Sequence, residues 1–247
     1  MRAPPCETAV ESAAAPIGPE HDRMGHRPRV IVPGFPYHVT HRANHRSPIF
    51  TTDRQRATYV SIMLRWQARC GVKVAAFVIM PNHVHFIVVC PTENALSNWI
   101  RNGHREYSLW LNTEAGTSGQ NWEGRYYSVL MDERHCLNAL RYVEQNPVRA
   151  GIVELPWEWH WSSAAWHTGM GPRPELINLD LRSPGTTPAE WRGFIQEREG
   201  EAFGIALREC QGTGKPFADE AWIRRMEKEH QLRMAQGSQR RTDVANP

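Results

Sequence analysis

The sequence predicts an α+β fold, an antiparallel sheet with helices packed on it, followed by a helical C-terminal extension. Two β-branched apolar runs, Val72 to Met80 and His83 to Cys90, flank a Pro81-Asn82 turn signal and read as a hairpin. Stretches with apolar residues at helical spacing alternate with the strand-like runs. With 247 residues, 40% of them hydrophobic and 22% charged, the chain has ordinary globular composition and enough length to bury a sizeable core.

Each element has a local reason. Tyr37 to Ala43 alternates residue types as a strand does. Asp53 to Cys70 carries Tyr59, Ile62, Met63 and Trp66 at helical spacing, behind an Asp that can cap it. After the hairpin, Ala95 to Leu111 places Leu96, Trp99, Ile100, Tyr107 and Leu111 near one helical face. Gly116 to Gly119 is a loop, Tyr126 to Met131 a short apolar strand, and Glu133 to Gln145 a third helix carrying Leu137, Leu140 and Tyr142. Asn146-Pro147 ends it, because a residue before proline is pushed out of the α region. The order strand, helix, strand, strand, helix, strand, helix suits a ferredoxin-like or RRM-like sheet.

Residues 1–29 are Pro/Ala/Glu/His-rich without periodicity and read as a disordered leader; 30–170 form the main domain. Beyond it, Pro172 to Pro188 is loop-rich, and Pro188 to Arg208 and Glu220 to Met234 read as helices of a 171–247 extension. Arg224 to Arg241, which includes Arg225, holds six Lys/Arg against two Glu and reads as a basic tail.

Composition excludes several classes. No apolar run reaches membrane-spanning length and the N-terminus shows no signal-peptide core, so a cytoplasmic protein without a membrane partner is expected. Five separated cysteines without a C-x-x-C pair argue against a zinc ribbon or a disulfide framework, leaving free thiols. Twenty-nine Lys/Arg against 26 Asp/Glu is too mild a balance to establish a nucleic-acid partner.

His83-Val84-His85 is the sharpest chemical feature. Side chains two apart on a strand share a face, roughly 6.6 Å apart at ~3.3 Å per residue, so both imidazoles can converge on one cation or phosphate. Two solvent-facing histidines are the bland alternative. Tyr142 and Asn146, four apart on a helix, share a face and could supply a nucleophile and an oxygen ligand; a core tyrosine and a helix cap are the alternative. His38, His41 and His45 with Arg42 and Arg46 form a polar strand edge, either a DNA-backbone contact or solvated charge. Tyr126 and Tyr127 are rival nucleophiles without a ligand partner four residues on. Arg101, His104 and Arg105 read as a solvent face. Trp157, Trp159, Trp161 and Trp166 could stack bases, but read better as packing.

Four segments, GFPYHVTHRANHRSPIF, AFVIMPNHVHFIVV, LRYVEQNPVRAGIV and WHWSSAAWHTG, resemble in order and spacing the HUH single-tyrosine transposases, specifically the REP-associated branch. The resemblance covers about Val30 to Gly169 and implies the HUH endonuclease fold. It implies that His83 and His85 bind a divalent metal, Mg²⁺ or Mn²⁺, that Asn146 completes the site, and that Tyr142 is the catalytic nucleophile. A phenol titrating near 10 is a poor nucleophile at neutral pH, so attack on a phosphodiester needs such a cation. Zn²⁺ could also occupy imidazole ligands. The resemblance further implies single-stranded or hairpin DNA as substrate and a 5′-phosphotyrosine intermediate. His41, Arg42, Arg46, Arg224 and Arg225 are then candidate DNA contacts, and a homodimer is left open. The rival readings are a non-catalytic nucleic-acid-binding module on an RRM-like sheet and an unrelated zinc hydrolase. The first lacks the aromatic RNP signature, and the deaminase form of the second needs H-x-E with P-C-x-x-C.

Overall fold

The structure, a computed structural model, describes residues 31–197 and 201–230. The expected leader and the part of the basic tail beyond residue 230 lie outside them. Four strands, β1 (Pro36–Arg42), β2 (Lys73–Met80), β3 (His83–Val89) and β4 (Tyr127–Leu130), form one antiparallel sheet in the order β2-β3-β1-β4. Helices α1 (Asp53–Cys70) and α2 (Ala95–Ala115) pack on one face and α3 (Glu133–Glu144) on the other. The expected α+β architecture is what forms.

Register divides the chain's chemistry between the two faces. Alternate residues of a strand point opposite ways, and the pairs Arg42↔His83 and Thr40↔His85 put His38, Thr40, Arg42, His83 and His85 on the face that carries α3. Val39, His41, Val84 and Phe86 fall on the face beneath α1 and α2. Because helices cover both faces, β2 and β3 are apolar almost throughout, and each large side chain they bury contributes about 1.5–3 kcal/mol.

Both sheet margins are covered by returning chain. The segment Trp161 to Ser163 runs along β2, with Ile79 N–H donating to Trp161 O at 2.8 Å and Ser163 N–H to Phe77 O at 3.0 Å. At the other margin Phe217 N–H donates to Leu130 O at 2.8 Å. The four tryptophans between 157 and 166 are half-buried against the two cores, so packing is their role.

Several local expectations are corrected. The α1 cap is Thr52, not Asp53: its hydroxyl accepts from Gln55 N–H while the Gln55 side chain accepts from Thr52 N–H, a capping box. Asn146 does not leave the helical region. α3 stops at Glu144 with Gln145 as cap, and Asn146 opens a further turn, α4 (Asn146–Arg149), in which Pro147 takes the first-turn position where its missing N–H costs nothing. The helix expected over Pro188 to Arg208 is two, α6 (Pro188–Gln196) and α7 (Glu201–Thr213), separated by residues that include 198–200, outside the description. A short helix α5 (Ala164–His167) precedes them and α8 (Glu220–Glu229) follows. The described cysteines, Cys70, Cys90, Cys136 and Cys210, are free thiols.

Candidate active site

A cleft of about 520 Å³ opens on the α3 face, and His83, His85, Tyr142 and Asn146 line it together. The histidine pair comes from β3, and the tyrosine and amide come from α3 and α4. The two rings of the pair lie with centroids 5.0 Å apart, and Tyr142 meets His85 edge-on at 6.0 Å.

Each imidazole is held by a neighbour. Asn82, in the hairpin turn, donates its Nδ2 to Arg46 O at 3.0 Å, which turns Oδ1 toward Nδ1 of His83 at 2.7 Å. The ring must therefore donate from Nδ1, and Nε2 keeps its lone pair. Asn146 donates Nδ2 to the carbonyls of Tyr142 and Val143 at 3.0 and 3.4 Å, so its oxygen is the atom left to face His83. Burial, aided by the Arg42 charge, pulls the His83 imidazole down to about 4 despite Asn146, so at neutral pH one ring proton faces two amide oxygens. His85 touches His38, whose Nε2 lies 2.9 Å from its Nδ1. Burial pushes His85 well below the usual histidine range, with His38, His83, Arg149 and Arg42 adding to it. Burial, with Arg149, takes His38 to about 3.

These donors fit a divalent cation. Two neutral imidazoles and an amide oxygen are in the protonation states that ligation needs, and the excess of lone pairs over protons around His83 is what a cation would satisfy. No group of three or more His, Cys, Asp or Glu suited to a metal occurs among the described residues; a cation held by two imidazoles and one amide would take its further ligands from other oxygens. Arg42, Arg149 and Arg208 also line the cleft against one carboxylate, Glu123, an electrostatic balance suited to phosphate. Arg149 lays its guanidinium over the Tyr142 ring at 3.9 Å and donates to Tyr142 O at 2.6 Å.

A buried network anchors α3. Glu144, fully buried, accepts from Ser163 Oγ at 2.6 Å, Trp191 Nε1 at 2.9 Å and the His167 ring. Burial pushes its carboxyl up, but His167 and the three donors outweigh that and hold it below the usual carboxylate range.

Other expected contacts fall elsewhere. The polar edge expected of β1 is not found, because β1 lies between β3 and β4 and its histidines are inside. His38 is fully buried in the candidate site, and His41 is buried on the opposite face, 2.7 Å from His104. His104 is likewise buried rather than solvent-facing, and its Nε2 meets Tyr59 OH at 2.8 Å. Of the remaining candidate DNA contacts, Arg42 lines the cleft, and the exposed Arg46 orients Asn82 through its carbonyl. Arg224 and Arg225 are exposed on α8, whose Trp222 packs on Phe35, at the opposite end of β1 from Arg42. Tyr126 is buried, while Tyr127 is exposed and lines the cleft. The sequence foresaw helix in this region but not its part in the site: Arg208, Gln211 and Gly212 of α7 form one wall of the cleft, and Phe203 packs near Tyr142 at 5.9 Å. A larger hollow, about 610 Å³, lies on the other face among His41, His104 and Trp122, away from the histidine pair.

The histidine pair thus stands on a central strand, β3, and Tyr142 on α3, the helix packed on that face of the sheet. Residues 31–146 match the model of the family described as Transposase IS200 like. The structure of the REP-associated tyrosine transposase bound to a REP hairpin has the same fold, with a TM-score of 0.50 at 20% identity over 66% of this chain and 96% of that one. A curated mouse protein, NACHT, LRR and PYD domains-containing protein 1b allele 4 of Mus musculus, is 40% identical over 42 residues, 17% of this chain. The chain spans 5% of that protein's length.

Proposed function

We propose that the protein is a metal-dependent single-strand DNA nickase and strand-transferase acting on hairpin-bearing DNA. The observation that carries the reading is the convergence of Tyr142, His83, His85 and Asn146 in one arginine-lined cleft. Hairpin DNA as partner is supported by the structural neighbour, whose complex contains a REP hairpin. In this reading residues 30–170 are the catalytic domain, and the 171–247 extension supplies the α7 wall.

Arg42, Arg149 and Arg208 bind the phosphodiester backbone at the cleft, and Arg149 holds the Tyr142 ring in place. A Mg²⁺ or Mn²⁺ ion held by His83, His85 and Asn146 supplies polarisation of the scissile phosphate when bound. The Tyr142 oxygen forms a bond to phosphorus and its proton leaves to solvent. The bond from phosphorus to the 3′-oxygen breaks, and that oxygen departs as a hydroxyl after taking up a proton. The product is a 5′-phosphotyrosine, and attack by a 3′-hydroxyl on it reverses the step and joins strands. No nucleotide cofactor is needed, because the tyrosine ester retains the phosphodiester's energy.

The reading of the sheet as a plain nucleic-acid module is disfavoured by burial. Tyr37 and Phe86, aromatics of the central strands, are enclosed beneath α1 and α2 and offer no base platform. The test is incubation of the full chain with labelled hairpin-bearing single-stranded DNA and Mn²⁺. A denaturation-resistant protein–DNA product is expected; tight binding without any such product would favour the non-catalytic module.

A further inference from the structure

The function proposed above uses the histidine pair, Tyr142, Asn146 and three arginines, and leaves two exposed groups of the cleft without a task, the Tyr127 ring and the Glu123 carboxylate. Tyr127 is 52% exposed, and among the described residues no other Phe, Tyr or Trp is exposed. The side chains of both residues are without a hydrogen-bond, ion-pair or ring partner among the described residues.

Backbone pairing brings the two together. Tyr127 pairs with Thr40, which pairs on its other side with His85, so the three form one row across β4, β1 and β3 on the α3 face. At ~4.8 Å per strand, Tyr127 stands roughly 10 Å from His85. Glu123 N–H donates to Arg42 O at 2.9 Å, which seats Glu123 beside β1 two residues along from Thr40, about 6.6 Å from that row. Between them the chain turns at Gly124, φ 51, and Gly124, Arg125 and Tyr126 line the hollow on the opposite face. Glu123 and Tyr127 are left as neighbours on the cleft floor.

A bare aromatic ring has apolar surface to bury, and a nucleobase is the flat partner that an arginine-lined cleft brings to it. A carboxylate in the same cleft repels phosphate, so its own partner must be a group with hydrogens to give. Guanine fits best among the four bases. Its N1–H and N2–H are adjacent donors that match the two carboxylate oxygens; adenine and cytosine offer one amino group beside an acceptor, and thymine one N–H between two carbonyls.

We propose that Tyr127 and Glu123 form a base subsite for one unpaired nucleotide, selective for guanine, with the base stacked on the Tyr127 ring and its Watson–Crick edge on the Glu123 carboxylate. The subsite rests on the DNA-binding reading above and not on the covalent step. It gives Tyr127 a role through its ring rather than its hydroxyl. It also places sequence choice inside the cleft, where arginines assigned to phosphate supply none.

The experiment is fluorescence anisotropy of the full chain, in EDTA and at one salt concentration, with fluorescein-labelled oligothymidine and with the same oligomer carrying a single central deoxyguanosine. Phosphate contacts are common to the two strands, so the difference between them isolates the subsite. Wild type is expected to bind the guanine strand roughly tenfold more tightly. Glu123→Ala should bind both strands alike, with no loss on oligothymidine. Tyr127→Ala should bind the guanine strand roughly tenfold more weakly than wild type, and Tyr127→Phe should match wild type. Equal affinity of wild type for the two strands, a guanine preference retained in Glu123→Ala, or unchanged affinity in Tyr127→Ala overturns the proposal. Wild type that binds neither strand would defeat the DNA reading and the subsite together, whereas binding indifferent to residues 123 and 127 defeats the subsite alone. Both side chains are exposed and unengaged, so the variants should keep the wild-type thermal midpoint, which circular dichroism checks.

Discussion

The guanidinium of Arg149 covers the ring of Tyr142 at 3.9 Å and binds that residue's own carbonyl at 2.6 Å, so one side chain ties the candidate nucleophile's ring to its backbone. Tyr142→Phe keeps the ring and the stacking and removes only the attacking oxygen. Covalent attachment to hairpin DNA should vanish while equilibrium binding is retained. Adduct formation by the phenylalanine variant would shift the nucleophile to Tyr127, the other tyrosine that lines the cleft.

His83→Ala and His85→Ala should each abolish cleavage, as should EDTA with the wild-type chain, since one imidazole with one amide is too small a set to retain a hard divalent ion against water. Calorimetric titration with Mn²⁺ gives the direct check. Cleavage that persists undiminished in either variant in the presence of EDTA would eliminate the metal site.

Glu144→Ala should destabilise the fold by about 3–5 kcal/mol in denaturant titrations at pH 7, because it leaves His167, Ser163 and Trp191 buried without their shared acceptor. The carboxyl is held below its ordinary range, so this contribution is complete at neutral pH and is lost only as pH falls through that depressed value. A loss under about 1 kcal/mol would mean that water replaces the network.

His104 gives the pH dependence of the opposite face. Burial, then His41, holds its imidazole well below the usual histidine range, whereas in the unfolded chain it titrates near 6.5. Protons therefore bind the unfolded chain first, and stability present above about pH 6.5 is lost as pH falls below it. Replacing this residue, His104→Phe, should make the fall in unfolding free energy between pH 6 and 5 shallower by up to about 1.4 kcal/mol per pH unit. Identical slopes in the two proteins would show that His104 is protonated in the folded state.

The site's core was legible because its signals are local. An H-x-H on an apolar strand and a Tyr and Asn four apart need only the strand and helix periods to be placed on a common face. His104 was also within reach: it stands four after Ile100 and three before Tyr107, on the buried stripe of α2. His38 and His41 were misread because alternation in β1 tells which residues share a face, not whether a neighbouring strand covers both margins. Gln211 carries no local signal, since a glutamine on a C-terminal helix gains meaning only from a contact 173 residues away. The break between α6 and α7 was hidden by an apolar period that runs on through both.

The covering of both sheet margins, by Trp161 to Ser163 and by Phe217, bears on how copies of this chain can meet. An open strand edge is a template for recruiting another chain and growing a shared sheet. Here part of that backbone is already engaged, at Phe77 and Ile79 of β2 and at Leu130 of β4, so a pair built by continuing the full length of either strand into a second molecule would first have to peel away the chain's own segments. Self-association by side chains of the outward helical faces carries no such requirement.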